Sequence, residues 1–239
     1  MLTLELPPIE TWHEPVLQPD RSRVTKALAF DAPSPLSGWI SLGEPIVLPI
    51  TVDQVHKDDK ELRQFLELNG DRFKFYLVHM ACTFQPSAGE RFRKAWLTVQ
   101  LVREDGSAAS PPIAWSMQPS RIAQSVSVSR TVELGASLKL AEMVEGPKAE
   151  VKQEKEWTES QVFLEALNEL QPNPVWEFTR TKMAEIRGGH RLVLVVKCPR
   201  ETAALGLLGL SATVERKRLL VISYQAELPG APRLVFRMP

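Results

Sequence analysis

The stretch from Ile122 to Leu140 alternates apolar and polar residues over most of its length. Its apolar positions of one parity are Val126, Val128, Val132, Leu134, Ala136, Leu138 and Leu140. Because strand side chains point alternately to the two faces of a sheet, this pattern predicts a long strand, or two strands broken near Gly135, with one apolar face. Such a strand cannot bury that face alone, so the rest of the chain must supply a sheet and a covering layer.

A second alternating stretch follows after the turn signal Gly146-Pro147. In Lys148 to Trp157, lysine and glutamate share one parity, and charges of alternating sign suit a face that meets water. We therefore expect Ile122 to Leu140 and Lys148 to Trp157 to form a hairpin with one solvated face.

Shorter apolar segments predict further strands throughout the chain. They are Ile46–Val52, Arg72–Phe84, Ala95–Arg103, Ile113–Met117, Val175–Thr179, Leu192–Val196, Leu208–Val214, Leu219–Leu228 and Leu234–Phe236. Leu192–Val196 consists of five branched apolar residues, which is typical of a strand buried on both faces. The three segments between Arg72 and Met117 are expected to be antiparallel neighbours, and Gly188-Gly189 is predicted to be a turn.

Two segments have the spacing of helices instead. Asp58 to Leu68 places its apolar residues on one helical face and is followed by Asn69-Gly70, a stop signal. Thr158 to Leu170 has apolar residues at helical spacing after a capping-box pattern and ends at Gln171-Pro172. We predict a short helix in each.

Since helices do not alternate with strands, the sequence favours a mainly β fold over an α/β sheet. The predicted architecture is two packed antiparallel sheets, similar to a β-sandwich, with two or three short helices. A proline-rich arm and a β-rich part are expected within residues 1–120, and a second β-rich part with the helix near 158–170 within residues 121–239. A single composite domain is the alternative.

Composition limits the classes of partner. Lys plus Arg equals Asp plus Glu at 29 each, so no overall field attracts nucleic acid or an anionic membrane. Cys82 and Cys198 lie in apolar segments and are expected to be buried thiols rather than a disulfide. No signal peptide or bilayer-spanning run is recognised, so we expect a cytoplasmic protein.

His190 is the candidate binding residue that stands out among four histidines, because Gly188-Gly189 before it would let a ligand approach the backbone. The alternative is a loop histidine at the entrance of a strand. His79 and Cys82 are three residues apart on a predicted strand, so they face opposite sides and make a poor metal site.

The second candidate site is basic: Arg216, Lys217 and Arg218 lie at the predicted tip of the last hairpin. With Arg191, Lys197 and Arg200 expected nearby, they would contact phosphate groups of nucleic acid or lipid. The alternative is a solvated turn whose charges keep the hairpin soluble, which the neutral overall charge favours.

No motif of a serine nucleophile, a phosphate-binding loop or a dinucleotide fold occurs, so the sequence predicts no catalytic residue, metal or cofactor. The favoured hypothesis is a non-catalytic protein-binding or adaptor module that contacts another protein through an exposed edge or loop cluster. One alternative is a membrane-acting protein whose hairpin at 122–157 rearranges. The other is a hydrolase or transferase with dispersed catalytic residues, His190 among them.

Overall fold

In a computed structural model of the chain, the alternating and the continuously apolar segments pair into antiparallel sheets. The structure describes residues 6–19, 38–55, 60–107, 110–123, 161–216, 220–227 and 233–239. The prediction of a mainly β fold with two antiparallel sheets is confirmed. The strands are β1 (Trp12–His13), β2 (Val16–Pro19), β3 (Trp39–Gly43), β4 (Ile46–Ile50), β5 (Phe73–Gln85), β6 (Glu90–Arg103), β7 (Ile113–Gln118), β8 (Arg121–Ala123), β9 (Val162–Leu167), β10 (Val175–Thr179), β11 (Gly188–Pro199), β12 (Ala204–Arg216), β13 (Leu220–Glu227) and β14 (Leu234–Met238). The described residues also form helix α1 (Lys60–Asn69) and a 3-10 turn, Val52–Gln54.

The first sheet, sheet A, has the strand order β1-β3-β5-β11-β7, and β4 pairs with the same strand β5 as β3 does. Leu42 of β3 lies opposite Cys82 and Ile46 of β4 lies opposite His79. Glu44 and Pro45 separate the two strands, and proline suits this position because it has no amide to donate to a ladder.

The second sheet, sheet B, has the order β2-β13-β12-β6-β10-β9-β8, with β14 beside β12. The predicted final hairpin is confirmed, since β12 pairs with β13 from Ser211 opposite Gln225 to Arg216 opposite Leu220. The main core lies between the two sheets and includes the fully buried side chains of Trp176, Phe84 and Phe178. Burial of each such side chain contributes about 1.5–3 kcal/mol.

A second, smaller core covers the outer face of sheet A. Helix α1 contributes Leu66 and Phe65, which belong to one apolar cluster with Phe75 of β5 and Val195 of β11. The central strands of sheet A are therefore buried on both faces. This confirms the interpretation of Leu192–Val196, all five of whose residues are buried.

The predicted helix at Asp58 to Leu68 is confirmed as α1, but the one at Thr158 to Leu170 is wrong. Residues 162–167 form β9, which pairs with β10 on one side and β8 on the other. Hydrogen-bonding partners on both sides override the local helical spacing, and the positive φ of Asn168 and Leu170 turns the chain after the strand. The described residues thus contain one α-helix rather than two or three.

The prediction that the three strands between Arg72 and Met117 are neighbours is wrong, and so is the predicted turn at Gly188-Gly189. β5 and β7 belong to sheet A, where β11 separates them, and β6 belongs to sheet B, because the chain crosses between the sheets at each connection. Gly188 and Gly189 begin β11 rather than forming a turn, and they pair with Phe84 and Thr83. Gly188 has φ near 80°, a conformation that glycine adopts without strain.

The long predicted hairpin at 122–157 lies outside the described residues except for Ile122 and Ala123, which end β8. Strands from residues 1–120 and 121–239 mix in both sheets: β5 pairs with β11, and β6 pairs with β12 and β10. Among the described helices, none has the length and apolar character needed to cross a bilayer.

Candidate functional site

His190 lies on β11 directly opposite Cys82 of β5, and its side chain packs among aromatic rings of the main core. The centroid of its imidazole is 5.8 Å from that of Phe84, 5.7 Å from Phe163 and 5.0 Å from Phe178. His190 is on β11, and the three phenylalanines that surround it are on β5, β9 and β10. His190 is therefore a strand residue within an apolar cluster, not a loop residue.

Burial determines the protonation state of this histidine. Its Nε2 atom is buried and has no hydrogen-bond partner within the described part of the chain. Burial lowers the pKa of His190 to about 4, although a hydrogen bond with the backbone of Arg187 acts in the opposite direction. The imidazole is thus neutral at physiological pH.

The Cys82–His190 pair has the residue types of a nucleophilic dyad but not its electrostatics. Burial raises the pKa of the Cys82 thiol well above its usual range. A reactive pair needs a thiolate stabilised by a charged imidazolium, whereas both groups here are kept neutral. No group of three or more His, Cys, Asp or Glu side chains converges on a metal position in the described ranges. The geometry gives no support to nucleophilic or metal-assisted chemistry at His190.

Of the three basic candidate residues, only Arg216 lies within the described residues. Arg216 is the last residue of β12, while Lys217 and Arg218 lie outside the described residues. Arg216 lies opposite Glu90, and Gly188 lies opposite Phe84, so both are at the end of the sandwich where residues 86–89 join β5 to β6. His190 is near this end too.

Lys197 and Arg200 lie at the opposite end of β11. Lys197 is separated from Gly188 by almost the whole strand, a distance of about 30 Å at the usual rise per residue. The expectation that Lys197 and Arg200 lie near Arg216 is therefore wrong. It fails because β11 belongs to sheet A and runs away from the tip of the β12–β13 hairpin.

The outer face of sheet B is the second candidate region. Along β6 and β12, buried and half-exposed residues alternate, so only one face of these central strands is buried within the described structure. We define the open face as the outward side chains Lys94, Trp96, Val102, Glu177, Leu205, Leu207 and Val235. They project from β6, β10, β12 and β14.

One half of the open face is a hydrogen-bonded group around Glu177. Its carboxylate accepts bonds from Lys94 Nζ at 2.6 Å, Trp96 Nε1 at 2.8 Å and Thr179 Oγ1 at 3.2 Å. Partial burial raises the pKa of Glu177, but these bonds and the Lys94 charge outweigh burial and lower it overall. The Trp96 indole is consequently fixed in orientation by an ionised carboxylate.

The other half is apolar. Leu205 lies opposite Val102, and Leu207 lies opposite Val235, so four aliphatic side chains are adjacent on three strands. Val235 lies on the edge strand β14 and is 55% exposed. Arginine side chains border this group: Arg233 bonds Gln100 at 2.6 Å and Arg237 bonds Glu104 at 2.7 Å.

The predicted site residues did not include the open face. A local signal existed, because Trp96 shares its parity with the polar residues Thr98 and Gln100 rather than with Leu97 and Val99. This parity places the indole on the solvent side of the strand. In comparisons with known proteins, the sequence matches no protein-family model and no curated protein.

Proposed function

We propose that the protein is a non-catalytic protein-binding module and that it contacts its partner through the open face. The observation that carries this proposal is the difference between the two sheets. Sheet A is covered on its outer side by α1 and a second apolar core, whereas sheet B has half-exposed leucine, valine and tryptophan side chains on its outer side. An exposed apolar group such as Val102, Leu205, Leu207 and Val235 is typical of interaction sites.

The composition of the open face also supports a protein partner. Aromatic residues and arginine are enriched in protein interfaces, and Trp96 with Arg233 and Arg237 supplies both. The bonds to Glu177 hold the Trp96 indole in place before any partner arrives, which reduces the entropy lost on binding.

Three cations on or near the open face have acidic partners, which favours a protein over a polyanion. Lys94 pairs with Glu177, Arg180 with Glu215 at 3.1 Å, and Arg237 with Glu104. A surface that binds nucleic acid needs cations available to phosphates, and these cations already have acidic partners. The membrane-acting alternative rests on residues 122–157, which lie outside the described structure apart from the end of β8.

The experiment compares two substitutions that place the same charge on opposite sides of the sandwich. Val235→Glu changes the open face, and Leu68→Glu changes α1, where the leucine is 72% exposed. The tagged full-length protein is used to capture partners from its native cells, and bound protein is quantified by mass spectrometry. We expect a stoichiometric partner whose recovery falls by about tenfold or more with Val235→Glu and stays unchanged with Leu68→Glu.

Thermal unfolding of both variants shows whether each is folded before the capture is compared. Recovery of no stoichiometric partner by the wild-type chain would contradict the proposed function. Equal recovery by wild type and Val235→Glu would contradict the assignment to the open face.

A further inference from the structure

Lys197 occupies an unusual position on the outer face of sheet A, at the end of β11 far from His190. Its Nζ atom is 3.9 Å from the centroid of the Phe73 ring and 4.5 Å from that of Trp115. Both distances lie within the range of cation–π attraction. The Trp115 ring lies beside Phe75 and Phe65, and Phe73 packs against the same cluster, so the ammonium group rests on aromatic residues that α1 helps to hold.

A β-bulge brings Trp115 to this position. Val196 lies opposite Ala114 and Val195 lies opposite Ser116, so Trp115 is the extra residue of β7. Ala114 and Met117 point into the main core, while Trp115 joins the outer cluster instead. Bulges reorient side chains and are frequent beside functional sites.

A second cation shares the same ring. The guanidinium carbon of Arg72 is 5.4 Å from the centroid of Phe73. Neither Arg72 nor Lys197 forms an ion pair with a carboxylate anywhere in the described ranges. Burial and the charge of Arg72 both lower the pKa of Lys197, as expected for two like charges without a counter-ion.

Two other hydrogen-bond donors at this end of the sheet differ in whether they have an acceptor. Arg200, which follows β11, donates to the backbone carbonyl of Gly70 at the end of α1, so its guanidinium is already engaged. In contrast, Nε1 of Trp115 is buried and has no acceptor among the described residues. Within the described residues, Arg72 and Lys197 thus have no carboxylate partner, and the buried Nε1 atom of Trp115 has no acceptor.

We propose that Arg72 and Lys197 form a binding site for a phosphate dianion, carried by inorganic phosphate or by a phosphate monoester. Two cations without acidic partners match the two negative charges of this group. The planar guanidinium binds phosphate oxygens in pairs, and the ammonium acts as a compact point charge beside it. The neighbouring Phe73 and Trp115 rings offer an apolar surface for the organic part of a monoester.

Isothermal titration calorimetry of the full chain at low ionic strength tests the site, with inorganic phosphate, phenyl phosphate and benzoate as probes. Lys197→Gln and Arg72→Gln each remove one proposed cation. Arg91→Gln is the matched control, because Arg91 is an exposed arginine of sheet B and its loss changes the net charge equally. Lys197→Arg keeps the charge and serves as the rescue variant.

We expect phosphate or phenyl phosphate to bind, with about tenfold weaker binding for each of Lys197→Gln and Arg72→Gln. Arg91→Gln should leave the affinity within about twofold, and Lys197→Arg should bind more tightly than Lys197→Gln because it keeps the positive charge. Tighter binding of phenyl phosphate than of inorganic phosphate would identify a monoester as the ligand, and equal binding would identify the free anion.

The proposal would be overturned if neither inorganic phosphate nor phenyl phosphate binds. It would also be overturned by unchanged affinity in Lys197→Gln, or by benzoate binding as tightly as phenyl phosphate. Circular dichroism of every variant establishes that the sheets are intact, so that lost binding is not mistaken for unfolding.

Discussion

Cys82 and His190 lie directly opposite each other on neighbouring strands of sheet A, and the protein keeps both side chains uncharged. The thiol faces the main core and is fully buried, and the imidazole packs among three phenylalanine rings. Cys82 belongs to the main core, and the aromatic rings around His190 belong to the same core.

The first prediction concerns thiol reactivity. Burial raises the pKa of Cys82 well above its usual range and that of Cys198 to about 12, so neither forms a thiolate at neutral pH. We expect iodoacetamide to leave both cysteines unmodified in the native protein at about pH 8, and to modify both in urea. Mass spectrometry measures the labelling, and modification of native Cys82 as fast as in urea would contradict its burial.

The second prediction concerns the pH dependence of stability. Burial lowers the pKa of His190 from 6.5 to about 4, so between these values the unfolded chain binds a proton that the folded chain does not. The free energy of unfolding should therefore fall as the pH decreases from 6.5 towards 4, by roughly 2 kcal/mol between pH 7 and 4.5. Burial and Arg191 lower the pKa of His79, which adds to the same trend.

His190→Phe separates this contribution from that of the other titrating groups. Phenylalanine suits the apolar surroundings provided by Phe84, Phe163 and Phe178. Urea unfolding at both pH values should show a loss of stability on acidification that is smaller by roughly 2 kcal/mol in the variant. A loss equal to that of the wild type would show that His190 titrates normally in the folded state.

The third prediction concerns close packing at Gly206. The ring of Phe236 on β14 lies against Gly206 of β12, directly opposite it, in the space where a β-carbon would be. Gly206→Ala should therefore lower the free energy of unfolding by about 1–3 kcal/mol through overpacking. Phe236→Leu in the same chain should relieve the clash, so the double variant should lose less than the sum of the two single losses.

Chemical denaturation of the wild type, both single variants and the double variant gives the coupling free energy between Gly206→Ala and Phe236→Leu. Additive losses would show that the Phe236 ring does not occupy the space above Gly206.

Strands whose sequences carry their own period are predictable from local pattern. Val175–Thr179 alternates, and its predicted bounds are those of β10. Leu192–Val196 indicates burial on both faces, and α1 with the second core provides the cover. The helix at Asp58 to Leu68 follows from its apolar spacing and the stop at Asn69-Gly70.

Local sequence pattern fails to predict secondary structure where pairing with distant strands determines it. Thr158 to Leu170 has helical spacing, but the edges of β8 and β10 make residues 162–167 a strand. The site depends on such pairing throughout: Trp96 meets Glu177 only because β6 and β10 align in register. The contacts of Lys197 with Phe73 and Trp115 likewise require the pairing of β5 with β11 and the bulge in β7.

Hydroxyl-radical footprinting of the full chain, with and without its captured partner, shows whether the partner binds to the open face of sheet B. We expect Trp96 and Val235 to be oxidised less in the complex, while Leu68 on α1 is oxidised as before. Unchanged oxidation of Trp96 and Val235 together with protection of Leu68 would contradict binding at the open face.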